Sequence, residues 1–199
     1  MDTVSIIIPT MGNRPEGLDR CLRSIKSLDY PKDRIELLVV VDNPRLGLPT
    51  RLKEGVAKTT GQWIVFASDD TEFTPQTLIN VFEGMKKNNK KFASFHSGPV
   101  YPDEGNVCEH FIINRDLLVD LPNGEIFDLR LNHLGTDNLL WARMKKLGQN
   151  YHCEEAILNH YHFTKGAPMD ATYMEAWRAD RVKKDREMLE ILKKEEGLV

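Results

Sequence analysis

Apolar runs of strand length recur along the first half of the chain, each bounded by a residue that interrupts regular structure. The first covers residues 4–8 and stops at Pro9, the second is Ile35–Val41, and the third is Trp63–Phe66. Residues 91–95 continue the series as a fourth. Short runs of this kind, rich in β-branched residues, predict strands buried on both faces, as in a parallel sheet.

Helical spacing separates these runs. Pro15 stands where it would open a helix, and apolar residues then recur every three or four positions, at Leu18, Cys21, Leu22, Ile25 and Leu28. A short helix is predicted through Leu52 and Val56, and Thr74 and Pro75 suit the cap and first residue of another. Strand and helix in alternation predict an α/β fold with a mostly parallel central sheet between two layers of helices.

The alternation changes after residue 96. Residues 107–114 predict another strand, and Thr136 predicts the cap of a helix that ends before Gly148. Residues 151–158 predict a last strand, which runs into a segment with two histidines. Residues 171–195 predict one long, highly charged helix, which we expect to pack on its own domain with its tryptophan, Trp177, buried.

The composition is that of an ordinary globular domain: 199 residues, 41% hydrophobic and 29% charged, with a formal net charge of −3. Dispersed basic residues give no reason to expect nucleic-acid binding. The three cysteines form no CxxC pair, and the start of the chain lacks the basic residues of a signal peptide. No apolar run reaches the roughly 18 residues that span a bilayer. We therefore expect a cytoplasmic protein.

Two acidic residues directly follow the third strand. Asp69 and Asp70 come after Ser68, where Trp63–Phe66 leaves the sheet, and ligands of open α/β sheets bind beyond the carboxyl ends of strands. Adjacent carboxylates suit Mg²⁺ or Mn²⁺, ions that take up substrate phosphates. A helix cap or a solvated turn would place an acidic pair here equally well, so the residues alone leave both interpretations open.

Five sequence blocks follow one another along the chain. They are the first strand with its loop, the end of the second strand, the third strand with its acidic pair, the start of the late helix, and the histidine segment: Val4–Thr10 with residues 13–18, residues 39–42, residues 61–70, Gly135-Thr136-Asp137, and residues 159–162. In this order they resemble the motifs of family 2 glycosyltransferases with the GT-A fold. Ser68 replaces the first acid of the family's DxD-like motif, and Thr136 replaces a Glu.

The resemblance implies one GT-A domain over residues 1–199. Its parts would be a nucleotide-sugar-binding half over residues 1–96, an acceptor and catalytic half over residues 97–170, and a C-terminal helix over residues 171–199. The implied reaction is metal-dependent, inverting transfer of a sugar from a nucleoside-diphosphate sugar to a hydroxyl of a glycan or lipid-linked acceptor. Acidic residues offset most of the basic charge of the C-terminal helix, so we expect at most peripheral membrane contact.

The resemblance also assigns the catalytic base and the metal ligands. Asp137 would be the base, in the first turn of a helix whose dipole keeps a carboxylate ionised; that dipole would also explain a purely structural acid. Asp70 would bind the metal together with His160 or His162, which lie on the same face of a strand, and the preceding apolar run favours His160. An imidazole beside carboxylates suits Mn²⁺ somewhat better than Mg²⁺.

Five further residues are candidates for binding the nucleotide sugar. The resemblance implies that Asp69 accepts from the ribose or a metal-bound water, and Asp42 lies where the family contacts the nucleobase. Thr10 ends the first strand, and the cationic Arg51 and Lys53 suit phosphates. A turn acid at Asp42 and solvated surface charge at the two basic residues are the structural alternatives.

Two other functions stay open at this stage. A sugar-nucleotide pyrophosphorylase uses a similar sheet, but its first strand would lead into a loop rich in Gly and Arg, where only Gly12 and Gly17 occur. A catalytically weak sugar-nucleotide-binding protein is the other alternative. A dinucleotide-dependent oxidoreductase is excluded because the sequence contains no G-x-G-x-x-G fingerprint.

Overall fold

A computed structural model describes residues 1–98 and 108–198 of the chain, which form one seven-stranded sheet with helices on both faces. The strands are β1 (Val4–Thr10), β2 (Ile35–Val41), β3 (Trp63–Phe66), β4 (Thr71–Phe73), β5 (Phe92–His96), β6 (Phe111–Asn114) and β7 (His152–His160). The helices are α1 (Pro15–Lys26), α2 (Leu48–Lys58), α3 (Thr77–Asn88), α4 (Thr136–Lys146), α5 (Ala171–Ala176) and α6 (Ala179–Glu195). The strand order is β2-β1-β3-β6-β5-β7-β4.

Two apolar layers lie on opposite faces of this sheet. Because successive side chains of a strand point to opposite faces, Ile6 and Ile8 of β1 pack in one layer and Ile7 in the other. The first layer includes buried residues of α1 and α3, and the second includes buried residues of α2 and α4. The predicted arrangement of a sheet between two helical layers is confirmed, and with it the α/β fold class.

The sheet is only partly parallel, which corrects the expectation of a mostly parallel one. Neighbours β1–β2, β1–β3 and β5–β7 are parallel, whereas β3–β6, β5–β6 and β4–β7 are antiparallel. Strands β4 and β6 have three and four residues, too few for a hydrophobic pattern to indicate their direction. Since β6 runs opposite to β3, its first residue, Phe111, pairs with the last residue of β3, Phe66.

Strand β1 continues through Pro9 instead of ending there. Ile7 O accepts from Ala67 N, and Thr10 O accepts from Asp42 N. The backbone groups of successive β1 residues therefore point in turn toward β3 and toward β2, with those of Ile7 toward β3. Pro9 therefore faces the side of β3, which pairs with β1 only as far as Ile7. The missing N–H of Pro9 costs no ladder hydrogen bond, and the strand persists.

Other predicted boundaries shift by a few residues. Strand β2 has the predicted bounds, but it is the outermost strand and is only partly buried, with Val41 50% exposed. Helix α3 begins at Thr77, after the unpredicted strand β4, so Thr74 and Pro75 precede it. Thr136 is the first residue of α4 and not its cap, since its hydroxyl donates to His133 O. Residue 107, the predicted start of β6, lies outside the described residues.

The C-terminal segment forms two helices instead of the predicted one. Helix α5 ends before Trp177, and Arg178 has extended backbone before α6 begins. Between Trp177 and Met188 the sequence is dominated by charge, so no apolar stripe holds the two pieces on one axis. Helix α6 packs on its own domain through the buried Leu192, but Trp177 is 37% exposed, and the prediction that it is buried was wrong. No helix within the described ranges has the length and apolar character that crossing a membrane requires.

Candidate functional site

The acidic pair lies in a tight connection at the carboxyl edge of the sheet. Strand β3 ends at Phe66, and Thr71 N donates to Ser68 O where the chain turns into β4. Asp69 and Asp70 fall inside this turn and are buried, 3% and 5% exposed. They are therefore not the acids of a solvated turn, and their charge must be compensated by neighbouring groups.

A guanidinium from the first loop lies between the two carboxylates. Arg14 Nη1 is 3.1 Å from Asp69 Oδ1 and 2.7 Å from Asp70 Oδ2. Another edge of the guanidinium binds Asp170, which caps α5: Arg14 Nε donates at 2.6 Å and Nη2 donates at 3.0 Å. Tyr173 of α5 covers the same group, its ring centroid 4.1 Å from Arg14 Cζ and its hydroxyl donating to Asp70.

These contacts affect the two acids in opposite ways. Burial works against the charged form of Asp70, yet hydrogen bonds and charge from His160, with the charge of Arg14, hold the pKa of Asp70 well below its usual range. Burial, reinforced by the charge of Asp70, raises the pKa of Asp69 despite its hydrogen bond from Thr10 Oγ1 at 2.5 Å. Asp70 is therefore the more readily ionised member of the pair, which is the property that a cation ligand needs.

Two histidines lie beside Asp70. Strand β7 pairs with β4 so that His160 is opposite Thr71, and His160 Nε2 is 3.5 Å from Asp70 Oδ1. His110 directly precedes β6, and its Nε2 is 2.8 Å from Ser68 Oγ, which donates to Asp70. One donor atom from each of Asp70, His110 and His160 lies within 4.8 Å of the others.

This cluster has the donor set of a divalent cation site. One carboxylate and two imidazoles suit Mn²⁺ and related transition ions better than Ca²⁺. His110 is buried, its Nδ1 has no hydrogen-bond partner among the described residues, and burial lowers its pKa to about 3. A neutral, buried imidazole is suited to metal ligation, so the residues present fit a cation.

His110 was not among the residues predicted from the sequence. A histidine before an apolar run marks the beginning of a strand, whereas ligands are expected at carboxyl ends. The antiparallel pairing of β6 with β3 places that beginning beside the end of β3. Predicting His110 as a ligand would have required knowing that β6 runs antiparallel to β3.

His162 follows the end of β7 and is not one of the three residues of the cluster, although its ring centroid is 5.1 Å from that of His160. Its Nδ1 is 2.7 Å from Thr164 Oγ1, and its ring packs among Phe163, Tyr173 and Trp177. Burial, together with the charge of His160, lowers the pKa of His162 to about 4. The structure thus brings His160 to Asp70, while the role of His162 as a metal ligand stays a prediction.

The predicted nucleotide-binding residues form two groups. Thr10 joins the acidic pair through Asp69, and Gly12 N donates to its hydroxyl. Asp42 accepts from Leu46 N and from Arg51 Nε, both at 2.8 Å, so this pair stabilises the loop after β2. The third residue of that region, Lys53, contacts Glu125 at 2.7 Å on the surface. Roles for these residues in donor binding stay predictions.

Asp137 is the second residue of α4 and is half-buried. Its Oδ1 accepts from Asn138 N at 2.9 Å, and the helix dipole favours its ionised form. Burial first, and then the charge of Asp137, raise the pKa of the Cys108 thiol well above its usual value. The base role of Asp137 stays a prediction.

The chain is similar to known proteins in sequence and in fold. Residues 42–118 match the model of glycosyl transferase family 2. The crystal structure of S. aureus TarS 1–349 in complex with UDP-GlcNAc matches 96% of this chain and 66% of its own, with a TM-score of 0.72 at 14% identity. The resemblance to family 2 glycosyltransferases is confirmed. The GT-A fold is confirmed with it.

A second solved structure with a similar fold contains a metal. The mannosyltransferase PcManGT from Pyrobaculum calidifontis, in complex with GDP-Man and Mn²⁺, covers 92% of this chain at a TM-score of 0.69 and 18% identity. The chain spans 66% of the TarS fragment and 61% of the mannosyltransferase. Among proteins with curated descriptions, none matches the sequence. The family match includes Asp42, Asp69, Asp70 and His110, and ends before Asp137 and His160.

Proposed function

We propose that this chain transfers a sugar from a nucleoside-diphosphate sugar to a hydroxyl acceptor, with a divalent cation as cofactor and with inversion at the anomeric carbon. The observation that carries the proposal is the convergence of Asp70, His160 and His110 at the carboxyl edge of a family 2 sheet. A cytoplasmic location and a glycan or lipid-linked acceptor belong to the same proposal.

The residues of the cluster would hold the cation and the donor. Asp70, His160 and His110 offer the cation ligands, and when bound the cation supplies positive charge that stabilises the leaving diphosphate. Asp69, which Thr10 and Arg14 hold in place, would accept from a ribose hydroxyl of the donor. Manganese is favoured over magnesium because two of the three donors are imidazoles, and Mg²⁺ prefers oxygen ligands.

Asp137 would act on the acceptor. As a general base it takes the proton of the acceptor hydroxyl while that oxygen attacks the anomeric carbon from the face opposite the diphosphate. A single displacement of this kind needs no nucleophile from the protein, and it inverts the configuration. A carboxylate at the N-terminus of α4 is favoured in its charged form, the form that a base needs.

The family resemblance and the fold support a nucleoside-diphosphate sugar as the donor. Experiment decides which base and which sugar it carries. The structural relatives bind UDP-GlcNAc and GDP-Man, which share a nucleoside diphosphate and differ in base and sugar. Asp42 lies at the end of β2, where the loop that it stabilises with Arg51 would border the nucleobase. We propose this loop as the determinant of base preference.

Calorimetry with nucleoside diphosphates tests the proposal. UDP and GDP are titrated into the protein with Mn²⁺ and with a chelator, and we expect binding that requires the ion. Asp70→Asn should abolish this binding, whereas Asp116→Asn, at an exposed acid, should leave it unchanged. Binding that is equal with chelator, or equal in Asp70→Asn, would contradict the metal site. Release of nucleoside diphosphate from a sugar donor then separates an enzyme from a binding protein.

A further inference from the structure

The ring of His160 lies between two carboxylates. Its Nε2 faces Asp70 Oδ1 at 3.5 Å, and its Nδ1 is 3.1 Å from Glu109 Oε2. A neutral imidazole carries a proton on only one nitrogen, and the partner of the other nitrogen decides which one. The orientation of His160 toward the cluster therefore depends on Glu109 as well as on the strand that carries it.

Glu109 is itself held in a fixed position. Ser97 Oγ donates to Glu109 Oε2 at 2.6 Å, and Lys165 Nζ donates to the same oxygen at 2.6 Å. Lys165 Nζ also donates to Ser97 O at 2.8 Å, which closes a small ring of contacts. Ser97 and Lys165 thus donate to the same carboxylate oxygen that His160 contacts. Glu109 is therefore a rigid, charge-compensated acceptor for His160.

We propose that Glu109 is the positioning residue of the cation site: it accepts the Nδ1 proton of His160, so that when a cation takes the place of the Nε2 proton, the Nε2 lone pair faces the ion beside Asp70. This inference rests on the proposed function, because it concerns the same cation. A carboxylate behind a ligating histidine is a recurrent arrangement in metal sites, and losing it typically weakens metal binding by roughly 10–100-fold.

A structural role for Glu109 is the competing explanation. As the ion-pair partner of Lys165, it could simply tie the end of β5 to the segment after β7. Lys165→Met removes that ion pair and leaves the contact between Glu109 and His160, so it is the matched control. Glu109→Gln keeps an amide oxygen that can still accept from Nδ1, so it is the conservative variant.

Mn²⁺ binding without nucleotide, followed by electron paramagnetic resonance, is the first measurement. We expect Glu109→Ala to weaken Mn²⁺ binding by roughly 10–100-fold. Glu109→Gln should keep most of the affinity for Mn²⁺, and Lys165→Met should lose less affinity than Glu109→Ala. Equal losses in Glu109→Ala and Lys165→Met, or none in Glu109→Ala, would overturn the positioning role while leaving the cation site intact. Absence of Mn²⁺ binding in the unchanged protein would overturn the cation site and this inference together.

The tautomer of His160 is the second measurement, and it does not depend on affinity. Nitrogen-15 spectra of the Zn²⁺-loaded protein should show a protonated Nδ1 in the unchanged protein and in Glu109→Gln. A proton shared between Nδ1 and Nε2 of His160, or held on Nε2, in either of these two proteins would overturn the proposal. This test remains valid if Glu109→Ala fails to fold.

Discussion

Replacing Arg14 by methionine should destabilise the protein in a way that Mn²⁺ repairs. Arg14 is 11% exposed and is the guanidinium that lies between Asp69 and Asp70. Methionine keeps much of the aliphatic volume and removes the positive charge. In chelator the variant then holds two buried carboxylates without their shared partner.

The magnitude follows from the burial of the three groups. Removing one partner of a buried ion pair costs roughly 3–5 kcal/mol. Because burial already raises the pKa of Asp69, that acid can take up a proton and relieve part of the repulsion, so we expect the lower end. For a domain of this size, about 3 kcal/mol lowers the melting temperature by roughly 6–12 °C.

Thermal denaturation with EDTA and with Mn²⁺ is the assay. We expect the ion to raise the melting temperature of Arg14→Met more than that of the unchanged protein, because a cation near Asp70 replaces the lost charge. Arg23→Met, on the exposed face of α1, the helix that follows Arg14, should change stability by no more than about 0.5 kcal/mol. An unchanged melting temperature in EDTA would refute the role of Arg14 as counter-charge. A loss that Mn²⁺ does not repair would refute the cation site.

Three further outcomes can be checked separately. Asp137→Asn should keep donor binding and lower single-turnover transfer by roughly 10²–10⁴-fold; normal transfer would leave Asp137 only a structural role. Burial lowers the pKa of His110 from 6.5 to about 3, so the folded state binds fewer protons than the unfolded state in this window. Stability in urea and chelator should therefore fall as the pH falls below 6.5, by up to about 1.4 kcal/mol per pH unit, and His110→Gln should flatten this slope; equal slopes would contradict it. Acidic residues offset the basic charge of α6, so sedimentation with anionic liposomes at physiological salt should be weak, and robust sedimentation would favour a membrane-bound acceptor.

Much of the framework was predictable because it depends on local pattern. The apolar runs located β1, β2 and β3, and the position of Asp69 and Asp70 after β3 followed from the end of an apolar run. His160 could be placed near the acids because the family's motifs carry a histidine after the last strand. Each of these signals lies within a short stretch of the sequence, so detecting it needs no knowledge of strand direction.

The unpredicted part of the site depends on contacts between distant residues. Arg14 binds acids 55 and 56 positions away, and Glu109 meets His160 across 51 positions. Strand β4 has three residues and no detectable periodicity, yet its pairing with β7 brings His160 to Asp70. The exposure of Trp177 was missed for a related reason. Helical spacing indicates which residues would share one face, but it does not show that the helix is interrupted at Trp177.

Alternating charges connect the C-terminal segment to the carboxyl edge of the sheet, in a series formed by Lys165, Glu109, His160, Asp70, Arg14 and Asp170. A cation that binds Asp70 competes with Arg14 and with the hydroxyl of Tyr173, which already occupy that carboxylate. The measured affinity for the bare ion is therefore the intrinsic affinity reduced by the cost of giving up those contacts. A diphosphate that arrives with the ion offers Arg14 a new anionic partner. For this reason we expect Mn²⁺ and a nucleoside diphosphate to bind more tightly together than either binds alone.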